Sequence, residues 1–127
     1  MPAAAKTFLV LGALCAMLAV MLGAFGAHAL RSRLPPELLA VFHTGVQYHF
    51  WHALGLLAIG LVLLHAPGSA PVRWAGWLML AGIVVFSGSL YVLSISGARW
   101  LGAITPLGGL SFIAAWALLA WGVLRPS

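Results

Sequence analysis

The groups able to do chemistry in this sequence of 127 residues are five histidines, one acid and one cysteine. The acid is Glu37, and there is no aspartate at all. A two-carboxylate hydrolase, an Asp-dependent triad, a carboxylate-rich Mg²⁺ or Ca²⁺ site and a carboxylate proton relay therefore all lack their parts. No GxxxxGK[ST] loop is present to cradle a nucleotide phosphate. Cys15 is a single cysteine in an apolar run, so it forms neither an internal disulfide nor a CxxC pair and reads as an inert buried thiol. Met17 and Met21 lie close by in sequence, but Cys15 and Met17 point to opposite sides of a helix and make no soft-metal site there. Acid–base or metal chemistry must then lean on histidine, the side chain that titrates nearest neutrality.

Four of the histidines are worth placing: His28 near the end of the first apolar run, and His43, His49 and His52 in the second. At about 100° per residue, Thr44, Gln47, Tyr48, His52 and Gly55 share one face of a helix with Glu37. His43 and His49 fall to either side of that face, so the three histidines fan out and do not converge. No two histidines have the i, i+4 spacing that lets one helix grip a Zn²⁺ ion, and no metal set is assigned. His52 reads first as a hydrogen-bonding partner between helices, ahead of a metal or haem ligand or a proton or substrate contact. His43 and His49 are expected near the membrane interface, and His28 in a packing role. On the third apolar run, Ser87, Tyr91 and Ser94 form a second polar face suited to a neighbouring helix.

The elements that must carry these groups follow from the charges. Only 6% of the chain is charged and 64% is hydrophobic, with a mean hydropathy of +1.13. Too few polar side chains remain to cover a water-soluble globule, so lipid is the expected solvent. The formal charge of +5 does not indicate nucleic acid, because Lys6, Arg31, Arg33, Arg73, Arg99 and Arg125 are scattered between apolar runs and form no basic face. They read as anchors at lipid headgroups. The uncharged runs 7–30, 38–72, 74–98 and 100–124 each exceed the roughly 20 residues that a span needs.

The expected architecture is an all-α integral membrane protein, four transmembrane helices in one bundle and one domain. Spans are expected at about 7–30, 46–64, 74–96 and 105–124, with the second helix extended back to about residue 36 by Pro35-Pro36. The first run is too long for the 7–15-residue core of a signal peptide. His65 to Pro71 reads as a breaker-rich loop, Gly97 as a terminator, Thr105-Pro106 as an N-cap pair, and Arg125-Pro126 as the final stop. Trp51, Trp74, Trp77, Trp100, Trp116 and Trp121 are expected in the interfacial belts. The basic residues divide evenly between the two sides, and the amino terminus tips the balance toward both termini in the cytoplasm.

Four strings, in order, resemble the YgdD family: Gly-Ala-Phe-Gly-Ala-His-Ala-Leu (23–30), His-Thr-Gly-Val-Gln-Tyr-His with His-Ala-Leu (43–54), Phe-Ser-Gly-Ser-Leu-Tyr (86–91) and Thr-Pro-Leu-Gly-Gly with Ser-Phe (105–112). The resemblance covers nearly the whole chain. It implies a small four-pass membrane protein of a bacterial inner membrane or an organelle, from a family of unknown function with no catalytic residues to carry over. Ala114-Ala115-Trp116 departs from it, since a glycine is expected beside the tryptophan.

Two classes of function are consistent with these residues. The first is a non-enzymatic protein acting through helix–helix association, with itself or as an accessory subunit, its partners being the bilayer and other membrane helices. The second is a haem, metal, quinone or lipid-headgroup site in the bundle built on His28 and His52, with Gln47, Tyr48, His49, Ser87 and Tyr91 as further candidate ligands or hydrogen-bond partners. A proton or solute conductor ranks behind both, because the polar groups gather toward one end of the second helix.

Overall fold

The computed structural model describes residues 1–125, and every regular element among them is helical, with no strand. Helix α1 spans Ala3–His28, α2 Pro36–His65, α3 Ala70–Ser96 and α4 Thr105–Leu124, and a 3-10 turn, Arg99–Ala103, leads into α4. Each of the four is long and apolar enough to cross a membrane. Pro126, expected as part of the final stop, lies outside the described residues.

Local chemistry accounts for most of the boundaries. Pro35 and Pro36 open α2, with Glu37 in the first turn where an acid suits the helix dipole. Gly97 closes α3 at φ 73°, a left-handed conformation that glycine adopts without a Cβ penalty, and its N–H bonds Leu93 O. Helix α3 starts at Ala70 instead of near Trp74, because Ser69 accepts a hydrogen bond from Val72 N–H and Pro71 fits the first turn. Thr105 begins α4 but does not cap it. Its hydroxyl bonds Leu101 O at 3.2 Å and Ser89 Oγ at 2.6 Å, since the preceding 3-10 turn runs directly into the helix.

Helices α2 and α3 form the middle of the bundle. Of their most apolar stretches 44% and 39% are buried, against 17% for α1 and 22% for α4. The apolar core joins Phe8 of α1, Leu56, Ile59 and Leu63 of α2, Val72, Met79 and Ile83 of α3, and Phe112 of α4. In α3 the residues Ile83–Ser87 form a π-helical turn, with Gly88 N–H reaching Ile83 O. Two consecutive side chains at the widened turn both meet α2: Phe86 packs on Tyr48 of α2 and on Phe112 of α4, while Ser87 reaches the Gly45 carbonyl of α2. Gly108 permits the close approach of α4, since a Cβ there would run into the Phe86 backbone.

Candidate functional site

The α2–α3 seam contains two hydrogen-bonded contacts one helical turn apart. Ser87 Oγ donates to Gly45 O at 2.7 Å, and His49 Nδ1 is hydrogen-bonded to the Tyr91 hydroxyl at 2.8 Å. Gly45 makes both possible. A Cβ at this position would stand 2.9 Å from Tyr91 Cε1, so only glycine lets the ring lie along the α2 backbone with its hydroxyl at His49. Ser87 is fully buried and His49 is 2% exposed. His49 therefore lies inside the bundle, contrary to the interfacial position expected for it, because it falls on the α2 face that meets both α3 and α1.

The His49 ring is only half satisfied. Its Nε2 is buried and has no hydrogen-bond partner among the described residues. The Cys15 backbone of α1 is close enough to interact with the ring but does not meet hydrogen-bond geometry. Whichever way the proton sits between Nδ1 and Tyr91, one buried polar valence of the pair goes unused.

His52 is the opposite case. Its Nδ1 lies 2.7 Å from Tyr48 O, and Trp116 Nε1 donates to its Nε2 at 3.0 Å. A carbonyl only accepts and an indole N–H only donates, so His52 is the neutral tautomer protonated on Nδ1. Phe112 stacks on the ring with centroids 3.5 Å apart at 13°. No lone pair of His52 is left to bind a metal in this arrangement.

His28 and His52 are not brought together. Helices α1 and α2 form an antiparallel hairpin in which Gly26 meets Phe42 and His43, and Gly12 meets Leu57. His28 thus lies beside the first turns of α2, about 17 Å from His52 along the axis at 1.5 Å per residue. It is also exposed, as is Gln47. Gln47 lines an apolar outward groove of about 490 Å³ between α1 and α2, with Gly23 and Trp51. Tyr48 is half-buried among Phe86, Trp51 and Phe112. Of the seven candidate residues, the structure therefore places His49, Ser87 and Tyr91 along one seam, in two contacts a turn apart, and His52 with Tyr48 at another site. Among the described residues no three His, Cys, Asp or Glu side chains gather into a set that could hold a metal ion.

Comparison with known proteins identifies the family. The model of a family described as "Protein of unknown function (DUF423)" matches residues 22–109. The chain belongs to this family. It is 55% identical to the UPF0382 membrane protein YwdK of Bacillus subtilis over 94% of this chain and 98% of the relative. It is 50% identical to a UPF0382 membrane protein of Staphylococcus haemolyticus over 90% of this chain and 92% of the relative. No solved structure matches the chain significantly. The DUF423 match agrees with the small-membrane-protein family that the four sequence strings resemble, and the protein is an all-α, multi-pass membrane protein embedded in the lipid bilayer.

Within this DUF423 chain, two parts of the site were missed in the sequence. Trp116 was given only a belt position, but its indole N–H also donates to His52, while the residue stays 43% exposed. The π-helical turn was missed as well. Its signal is the β-branched run Ile83-Val84-Val85 between Gly82 and Gly88, where intrinsic helix propensity is low.

Proposed function

We propose that the protein is a non-catalytic membrane protein that works through helix association, as a self-associating or accessory subunit. Its histidines then serve as hydrogen-bond partners between helices. The observation that carries this reading is His52, whose two nitrogens are both engaged, by Tyr48 O and by Trp116, under a stacked Phe112. The seam around Gly45 adds support, because it fixes register between helices that lipid gives no hydrophobic reason to associate. The same reading puts the protein in the bacterial cytoplasmic membrane with both termini on the cytoplasmic side, which reporter fusions at the carboxyl terminus would test.

The test of association is a photocrosslinker at Val84, which is 64% exposed and faces outward from α3. Capture in intact membranes of a second copy or of one defined membrane protein is expected. Substrate-dependent turnover by the purified protein would overturn the proposal.

One observation favours a second reading: the unpartnered Nε2 of His49 could hydrogen-bond a quinone or another polar ligand at the α1–α2–α3 junction. It predicts a small molecule that co-purifies with the wild type and is lost from His49→Leu. A Soret band or stoichiometric metal in protein purified without additions would instead point to the haem or metal version.

A further inference from the structure

The end of the bundle far from His49 carries a cleft that the helix-association reading does not use. It encloses about 490 Å³ between the loop joining α2 to α3 and the end of α4. His65, Gly68, Ser69, Ala70, Gly122 and Arg125 are among its lining residues. Gly122 shapes it, since a Cβ there would stand 2.5 Å from Val72 Cγ2 and 3.3 Å from Ser69 Oγ and would force α4 away from the loop.

We propose that this cleft binds a phosphate oxyanion, carried either by an anionic lipid headgroup or by free phosphate. Four observations support it. First, the cationic or titratable residues lining the cleft are Arg125, just past the end of α4, and His65, the last residue of α2. Second, the one acidic side chain of the whole sequence, Glu37, sits in the first turn of α2, at the opposite end of the bundle, so no Asp or Glu competes for these groups.

Third, the loop is braced and offers donors. Arg73 Nη1 donates to Pro67 O at 3.1 Å, and Ser69 N–H bonds Ala66 O. Among the described residues the Gly68 and Ala70 N–H groups make no backbone hydrogen bond, and the Ser69 hydroxyl, which accepts from Val72 N–H at 3.5 Å, keeps its proton to donate.

Fourth, the surroundings suit a headgroup. Trp74, Trp77 and Trp121 are exposed at this end, and the Arg125 guanidinium lies 5.9 Å from the Trp121 ring centre. Exposed tryptophans of this kind sit at headgroup level, where lipid phosphates are the abundant anions.

Native mass spectrometry of the detergent-solubilised full chain tests the proposal, with phosphatidylglycerol, phosphatidylcholine and inorganic phosphate as probes. One phosphatidylglycerol is expected to bind in preference to phosphatidylcholine, and inorganic phosphate to compete with it. Arg125→Gln should weaken that binding about fivefold, the effect of one basic residue at an anionic surface. Ser69→Ala should weaken it further, and Arg33→Gln at the other end should leave it unchanged. Binding of inorganic phosphate without a preference for phosphatidylglycerol would support the oxyanion site and assign it to the free ion. Equal binding of the two lipids with no phosphate binding, or full phosphatidylglycerol binding by Arg125→Gln, would overturn it.

Discussion

The two halves of the α2–α3 seam are built differently. Toward the chain termini, Leu56, Ile59 and Leu63 of α2 meet Val72, Ala75 and Met79 of α3, all fully buried, and Phe8 of α1 lies over Gly76. Toward the α1–α2 loop the same helices are joined by Ser87 to Gly45 and Tyr91 to His49, and α3 is tied to α4 by Ser89 and Thr105. Lipid tails are as apolar as leucine, so an apolar seam in a membrane gains from close fit and not from escaping water. The apolar half can supply adhesion, but many sliding positions would satisfy it. The hydrogen-bonded half chooses among them, because each bond forms at a single register.

That division predicts the largest effect at Gly45, where fit and hydrogen bonding meet. Gly45→Leu should cost about 3 kcal/mol, the upper part of the range for overpacking, because the new side chain displaces the Tyr91 ring and pushes Ser87 from its acceptor. Reversible unfolding in mixed micelles measures it. Gly88→Ala is the control: nothing lies within 4 Å of a Cβ there, and stability should hold or rise slightly. Equal losses for the two variants would show that Gly45 is an ordinary helix position.

At the apolar half the corresponding test is Phe8→Ala. In a water-soluble protein, removing a buried phenylalanine side chain costs roughly 3–5 kcal/mol, part of it for transfer to water. In the bilayer that transfer contribution is missing, so a loss of about 2 kcal/mol is expected by the same unfolding measurement, from lost packing against Gly76 and Trp77. A cost as large as the soluble value would mean that this end meets water, and the contrast between the halves would have to be redrawn.

How much of this was legible in the sequence depends on whether a feature is local. The helices follow from the charge spacing, the prolines and Gly97, all of which act within a few residues. The Ser87–Tyr91 face was also visible, since both residues lie beyond most of the π-helical turn and keep α-helical spacing. Partner choice was not visible. His52 was expected to bond between helices, but nothing near it in sequence names Trp116, 64 positions away. The separation of His28 from His52 was within reach: a hairpin with a loop as short as Ala29–Pro35 must set His28 beside the start of α2. His49 was misplaced because its place in the first half of the over-long α2 was read as interfacial, although it falls inside the expected span of 46–64. In the bundle α3 rises alongside that stretch and buries it.

The smallest effect separates the His49–Tyr91 pair from a binding site. Tyr91→Phe removes one hydroxyl and leaves both His49 nitrogens without a side-chain partner, which should cost about 1 kcal/mol, within the measured range for hydrogen bonds between membrane helices. His49→Leu should be closer to neutral, because it removes the unsatisfied Nε2 together with the bond, at the expense of the Tyr91 hydroxyl. If the pair is a register clamp, the double variant Tyr91→Phe, His49→Leu should be more stable than the sum of the single losses, since replacing both partners leaves no polar group stranded. Measured as a double-mutant cycle, a coupling of about 0.5 kcal/mol or more supports the clamp. Additive losses would mean that His49 gains nothing from Tyr91, and its buried Nε2 would then be the stronger reason for its place in the bundle.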